Sequence, residues 1–278
     1  MSAALTSYAP ADLRRTILRM AYHGSTVHIA CAFSLVEILA VLYRNHLKLG
    51  AGPDDPERDY LVLSKGHGVM AQYAGLREMG WLSEDQVRSY YGDGTALKGL
   101  SDASVPGLEV NSGSLGHGLS VGAGLALGAR RRGTSQKVYA IVGDGECNEG
   151  SIWETLLFAA HFRLTNLLVI VDANGYQAMG STAEVLNTDS LEEKFAAFGF
   201  EARTVDGHDE ALLDQTITEL VQGPFPGPRA IIARTIKVKG KGVSFMENTN
   251  LWHYSSLTEQ TYQAALAELD NAAPGLRP

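Results

Sequence analysis

The sequence predicts an α/β fold: a mostly parallel sheet with helices on both faces. Three features predict it. Short apolar runs bounded by glycine or polar turns recur from residue 60 onward, each separated from the next by a stretch with helical periodicity, the alternation that builds βαβ units. The runs at residues 138–142 and 167–171 are apolar throughout rather than alternating, as strands covered on both faces are. The first ends in Gly143-Asp144-Gly145 and the second in Asp172-Ala173-Asn174-Gly175, turns that stop a strand at a sheet edge.

The elements follow in order. Residues 10–22 put Leu13, Ile17, Leu18 and Ala21 on one side of a helix. A second helix is expected over residues 33–47, then a Gly/Pro/Asp loop over 50–59. Residues 60–63 form a short strand ending at Ser64-Lys65-Gly66-His67-Gly68, and a helix follows. Ser83 is an N-cap, with Gln86 three residues on to complete a capping box. Residues 92–111 are glycine-rich and irregular, and structureless stretches of that length are usually functional. A helix of small residues spans 119–131. The two apolar strands come next, then strands at 201–205 and 229–236, and a last helix from about Thr258. Gly122, Gly124 and Gly128 imitate a dinucleotide fingerprint, but that motif needs a strand immediately before it and a loop stands there instead. Close helix packing explains these glycines.

The 278 residues fit one large α/β domain or two small ones; with no repeat and no linker, residues 1–278 are expected to form one. At 45% hydrophobic and 19% charged, the composition is that of an ordinary globular chain. A net charge of −8 argues against a nucleic-acid partner, which needs a basic face. The one dense basic run, residues 237–241 with Lys239 in it, is either a solvated loop or a diphosphate contact. Cys31 and Cys147 make no disulfide framework and read as cytosolic thiols, so a cytoplasmic location is expected. The first residues lack a signal-peptide pattern, and no apolar run approaches eighteen residues, so no membrane span is expected.

If the two apolar strands are parallel neighbours, Asp144 and Asn174 lie side by side at the carboxyl edge of the sheet, where open α/β sheets bind ligands. One carboxylate and one amide oxygen suit Mg²⁺, which takes few protein ligands and completes its shell with phosphate oxygens and water. Gly143 and Gly145 let backbone approach a diphosphate closely. Read alone, the triplet is more readily an ordinary βαβ turn, with Asp144 as an N-cap and Asn174 as a turn residue. His28 and His67 sit in turns rather than on apolar faces, and histidine titrates near neutral pH.

The triplet Gly143-Asp144-Gly145 followed some thirty residues later by Asn174 resembles the thiamine diphosphate signature, and the run from Gly143 through Glu146, Cys147, Asn148 and Glu149 to Gly150 resembles its transketolase form. The resemblance covers residues 13–269. It implies a diphosphate-binding (PP-domain) fold with thiamine diphosphate and Mg²⁺ as cofactors. By the same resemblance, Asp144, Asn174 and the carbonyl of Tyr176 hold the metal, while Gly143, Gly145, Glu146 and Lys239 attend the diphosphate. Ser114, Leu115, Gly116 and His117 belong to the loop beneath the thiamine ring, with Leu115 as its apolar support. Glutamine is usual where His117 stands, which leaves a diphosphate contact and a surface substitution both open. His28, His67 and His253 line the reacting centre, contact donor hydroxyls and carry protons. Glu149 links two cofactor sites across a dimer interface.

Two departures bear on substrate and assembly. The family's third histidine is missing from Lys98-Gly99-Leu100-Ser101-Asp102, and Leu100 favours a donor other than a standard ketose phosphate, either pyruvate-like or a deoxysugar. The family's pyrimidine and C-terminal domains have no counterpart here. An α₂β₂ assembly with a separately encoded partner subunit is therefore expected, with a ketose or 2-oxo-acid donor, an aldehyde acceptor and no activity for the chain alone. The alternatives are the alpha subunit of a 2-oxo-acid dehydrogenase first component, and a non-catalytic regulatory subunit.

Overall fold

The computed structural model describes residues 8–236, 243–249 and 251–272. Its strands are β1 (Tyr60–Leu63), β2 (Val138–Gly143), β3 (Leu167–Ala173), the two-residue pair β4 (Tyr176–Gln177) and β5 (Gly180–Ser181), β6 (Glu201–Asp206) and β7 (Arg229–Arg234). Five of them form one sheet in the order β1-β2-β3-β7-β6, and every neighbouring pair in it is parallel. All five carboxyl ends therefore lie on one edge. β4 and β5 form a separate antiparallel hairpin just beyond the end of β3.

Side-chain alternation divides the core in two. Leu61, Leu63, Tyr139, Ile141, Leu168, Ile170 and Ile231 face one layer, which holds the helix Pro10–His23, the segment Ile29–His46 and the helices Val69–Glu78, Glu210–Gln222 and Glu259–Ala272. Val62, Val138, Ala140, Val142, Val169, Val171 and Ile232 face the other, which holds the helices His117–Arg132, Gly150–His161 and Leu191–Ala197. Covering on both faces is why β2 and β3 read as unbroken apolar runs.

The helix expected over 33–47 begins earlier and is broken. It runs as Ile29–Phe33, then Val36–Val41, then a π-turn over Leu42–His46. The break falls at Ser34, whose hydroxyl bonds to Asp172 Oδ2 at 2.6 Å. This segment also corrects the expectation about apolar runs. Residues Ile29–His46 are long and apolar enough to cross a membrane by length and composition, but most of the segment is buried in the first core layer, as a core helix is. The small-residue helix begins at His117 rather than 119, because Gly116 takes a left-handed conformation (φ 82°) and starts the helix there. The capping box at Ser83 and Gln86 is present.

One buried ionic group joins three segments of the first layer. Arg14 Nη2 donates to Glu37 Oε2 at 2.8 Å, and His208 Nδ1 lies 3.0 Å from the same oxygen. The Ile236 N–H donates to His208 Nε2 at 2.9 Å, which leaves Nδ1 as the protonated nitrogen facing Glu37. Lys239 and the rest of the basic run at 237–241 lie outside the described residues.

Candidate functional site

Gly143 pairs with Asp172 across β2 and β3, so Asp144 and Asn174 leave adjacent strands at the same height. Asp144 Oδ2 accepts from the Gly175 N–H at 2.6 Å and Oδ1 from the Gly145 N–H at 2.9 Å. Asn174 Oδ1 accepts from the Tyr176 N–H at 3.1 Å. Gly145 is required by space: a Cβ there would lie 2.7 Å from Gln177 Cβ. The two turns are thus folded tightly on one another.

Burial pushes the Asp144 carboxyl up to about 6, and the charge of Asp172 adds to the rise; the Gly175 and Gly145 N–H groups and Lys65 offset only part of it. Behind Asp144 is an ion pair that sequence reasoning missed. Asp172 is fully buried at the end of β3 and Lys65 is almost so, and Lys65 Nζ donates to Asp172 Oδ2. Burial opposes the charge on each, but their mutual attraction outweighs it, holding the Asp172 carboxyl below and the Lys65 ammonium above their ordinary ranges. The signal was an acid closing an otherwise apolar buried strand, since such a charge requires a partner.

Glu146 is the second residue whose role becomes clear only in three dimensions. Its Oε1 accepts from Ser64 Oγ at 2.6 Å and from the Gly116 N–H at 2.7 Å, while Oε2 accepts from the Gly143 N–H at 3.0 Å. Both oxygens are taken by protein donors. Glu146 therefore ties the end of β1, the loop before the helix His117–Arg132 and the glycine turn to one another. Burial raises its carboxyl despite these donors.

Three histidines from distant parts of the chain meet over the same place. Their ring centroids are 5.0 Å (His28–His253), 5.3 Å (His28–His67) and 5.7 Å (His67–His253) apart. His28 is left-handed (φ 70°), an uncommon conformation for a side-chain-bearing residue, and its N–H donates to the His253 carbonyl at 3.0 Å. Cys31 Sγ lies 3.3 Å from His253 Nδ1.

These histidines, Lys65, Leu115, Glu149 and the two turns line a cavity of about 680 Å³. An adjoining chamber of about 870 Å³ shares His28, Leu100 and Gly113 with it and is otherwise walled by Tyr90, Tyr91, Lys98 and the segments around Ser25 and Asn111. Ser114 lines this outer chamber rather than the inner one. His117 is exposed, its ring folded onto the Leu115 carbonyl (Nδ1 to O 3.0 Å), and it lines neither. Gly116 sits against Glu149 and Ser151, where a Cβ would lie 2.3 Å from Ser151 Oγ. Cys147 is buried, and burial together with Glu146 and Asp144 pushes its thiol well up, which is unsuited to a nucleophile.

The inner cavity fits a diphosphate held through a hard cation. Asp144 Oδ, Asn174 Oδ1 and the Tyr176 carbonyl are all oxygen donors, and no cluster of three or more His, Cys, Asp or Glu that suits a softer metal exists among the described residues. Asn148 Oδ1 and Gln177 Nε2, on residues of the cavity wall, are buried with no hydrogen-bond partner among the described residues. Buried polar groups are normally satisfied, so these two suit contact with a polar ligand.

Comparison with known proteins agrees with this geometry. Residues 20–270 match the family described as transketolase, thiamine diphosphate binding domain. The chain is 39% identical over 269 residues to one of the subunits of the apulose-4-phosphate transketolase of Actinobacillus succinogenes, covering 95% of each chain. It is 38% identical over 247 residues to the 6-deoxy-6-sulfo-D-fructose transketolase subunit SqwG of a Clostridium species, covering 87% of this chain and 88% of that one. Among solved structures, the transketolase of Campylobacter jejuni superposes with a TM-score of 0.86 at 26% identity, over 96% of this chain but only 43% of its own.

Proposed function

The chain belongs to the transketolase thiamine diphosphate-binding domain family, and on that premise we propose that it is the diphosphate-binding subunit of a two-chain transketolase-like enzyme. The enzyme transfers a two-carbon ketol or acyl unit from a ketose or 2-oxo-acid donor to an aldehyde. The observation that carries this reading is the convergence, on one 680 Å³ cavity, of the Asp144–Asn174 pair and the three histidine rings. A metal–diphosphate site alone would serve many enzymes; the histidine trio beside it suits a hydroxylated, proton-exchanging substrate.

Thiamine diphosphate, when bound, supplies the carbanion-stabilising chemistry. The chain's own residues do the rest. Asp144, Asn174 and the Tyr176 carbonyl hold Mg²⁺. Gly143 and Gly145 leave room for the diphosphate, and Asn148 and Gln177 offer it polar contacts. Leu115 gives the ring an apolar support, and Glu146 holds the Leu115 loop at its height through the Gly116 N–H. His28, His67 and His253 bind donor hydroxyls and take or return protons at their ring nitrogens. Ser114, Gly116 and His117 act through the shape of the loop.

Leu100 divides the inner cavity from the outer chamber and is 46% exposed. An apolar divider favours a donor that carries a methyl, methylene or branch at that point over a linear, fully hydroxylated ketose phosphate. Relatives that match this chain along nearly their full length are named as subunits, which supports a separately encoded partner bearing the pyrimidine and C-terminal domains. We read residues 1–278 as one diphosphate-binding domain, the assembly as α₂β₂ and the location as cytoplasmic. Cys31 and Cys147 are both buried and not joined in a disulfide, in keeping with a reducing compartment.

The test is calorimetric titration of thiamine diphosphate and Mg²⁺ into the chain, with and without its partner. Binding and two-carbon transfer that require the partner support the reading. Full turnover by the chain alone would refute the two-chain part, and failure to bind thiamine diphosphate under either condition would refute the whole.

A further inference from the structure

Asp172 is a charge that the site does not obviously need. It is 0% exposed and sits two residues before Asn174. Period-two alternation on β3 turns its side chain, with Leu168 and Ile170, toward the first core layer. There it meets four donors from four parts of the chain. Oδ2 accepts from Ser34 Oγ at 2.6 Å, from Lys65 Nζ and from Asn174 Nδ2 at 3.2 Å, and Oδ1 accepts from Thr235 Oγ1.

The Asn174 amide is consequently specified at both ends. Its Nδ2 donates to Asp172 and its Oδ1 accepts from the Tyr176 N–H. Turning the amide over would set an oxygen against the Asp172 carboxylate and an NH₂ against the Tyr176 N–H, two repulsions in place of two hydrogen bonds. An ionised carboxylate can only accept, so Asp172 admits one orientation. Lys65 keeps that carboxylate charged in a place where an unpaired charge would not survive. Asp144, by contrast, accepts from the backbone N–H groups of Gly145 and Gly175, on the side where a cation would sit.

We infer that Asp172, pinned by Lys65, is a positioning residue that fixes the Asn174 amide with its oxygen on the cation side. This rests on the reading of the inner cavity as the Mg²⁺–diphosphate site. Groups that orient a metal ligand from behind typically change metal affinity ten- to a hundredfold when altered. Asparagine at 172 would present both an acceptor and a donor to Asn174, so the amide could settle either way.

The experiment compares the full-length wild type, Asp172→Asn and the paired variant K65M/D172N, each assembled with the partner subunit and with thiamine diphosphate present for the Mg²⁺ titration. Mg²⁺ affinity is measured by calorimetry and the thermal midpoint without ligands by circular dichroism. D172N alone strands the Lys65 ammonium, so its midpoint is expected to fall; the paired variant removes both charges, and its midpoint should recover most of that fall. Mg²⁺ affinity should stay ten- to a hundredfold weaker than wild type in both. If affinity in K65M/D172N returns to within threefold of wild type along with the midpoint, Asp172 is merely structural and the inference is overturned. If the wild type itself takes no Mg²⁺, the reading of the cavity fails and the inference with it, so the two failures are distinguishable.

Discussion

Glu146 offers the most direct test of how the site is held together, because its three hydrogen bonds can be removed unequally. In Glu146→Gln, the amide oxygen can replace Oε1 and keep Ser64 Oγ (2.6 Å) and the Gly116 N–H (2.7 Å). The amide NH₂ then confronts the Gly143 N–H, which now donates to Oε2 at 3.0 Å. One acceptor is lost, at a cost of about 1–3 kcal/mol. In Glu146→Ala, the Gly116 and Gly143 N–H groups both lose their acceptor. The Ser64 hydroxyl can rotate and still accepts from the Leu119 N–H at 3.2 Å. Two stranded backbone donors cost about 2–6 kcal/mol, roughly twice the glutamine penalty. The assay is urea unfolding without ligands, with amide exchange at Gly116 as a local probe. The pH dependence supplies a second measure. The folded carboxyl is raised, chiefly by burial, so its contribution is fully present below the unfolded value of 4.5 and is lost as pH rises through the folded one. The wild type's lead over E146Q should shrink between pH 4 and pH 8. Equal penalties for glutamine and alanine, or a lead that grows with pH, would refute the clamp.

Three further outcomes are expected. Leu100→His in the assembled enzyme should shift kcat/KM toward xylulose 5-phosphate relative to pyruvate by roughly 5- to 150-fold, the worth of about 1–3 kcal/mol for a matched polar contact; an unchanged ratio would remove Leu100 from substrate choice. Glu37→Gln should cost about 3–5 kcal/mol at neutral pH because it strands buried Arg14. Burial raises the Glu37 carboxyl, but the His208 hydrogen bond and the Arg14 charge outweigh that and leave it below 4.5, so its contribution is present above 4.5 and is lost as pH falls through the folded value; urea midpoints from pH 7 to pH 3 that run parallel in the two proteins would contradict this. Leu157→Glu, at a side chain 61% exposed, should weaken association with the partner at least tenfold by analytical ultracentrifugation while leaving the chain's own midpoint unchanged; undiminished association would move the interface elsewhere.

The legible parts of this molecule were those whose physics is local. Strand Tyr60–Leu63 and the starts of β2 and β3 were read to the residue, because apolar runs ending in glycine or asparagine turns have few other meanings. The pairing of Asp144 with Asn174 followed from parallel neighbours alone. What stayed hidden depends on tertiary contact. Ser34 breaks a helix that periodicity would have continued, because its hydroxyl answers Asp172, 138 residues away. Glu146 looked like a ligand for the diphosphate because it abuts the glycine turn, and nothing local says that Ser64 and Gly116 reach it first. Ser114 and His117 are expected to act with the loop that contains them, yet Ser114 lines the outer chamber while His117 folds onto the Leu115 carbonyl and lines neither.

The division of labour within the site also bears on the proposed two-chain assembly. The buried side of the inner cavity is finished: the Asp172–Lys65 pair, the Glu146 clamp and the histidine trio each satisfy or orient their neighbours. The outward side is not. Met179, Leu186 and Tyr254 line the same cavity and are 78%, 57% and 61% exposed, an apolar rim beside charged and polar walls. Val121, Leu157, Phe158 and Phe162 stand exposed on or just beyond the helices His117–Arg132 and Gly150–His161, whose first residues adjoin Gly116 and Glu149. Scattered exposed hydrophobics need no explanation, but a set that borders the inner cavity and continues onto the helices that carry its loops is the kind of surface a partner covers. Covering it would exclude water from the three histidine rings and strengthen every charge interaction around Asp144. On the proposed two-chain reading, the partner would contribute more than missing groups: it would turn an open edge of the sheet into an enclosed site.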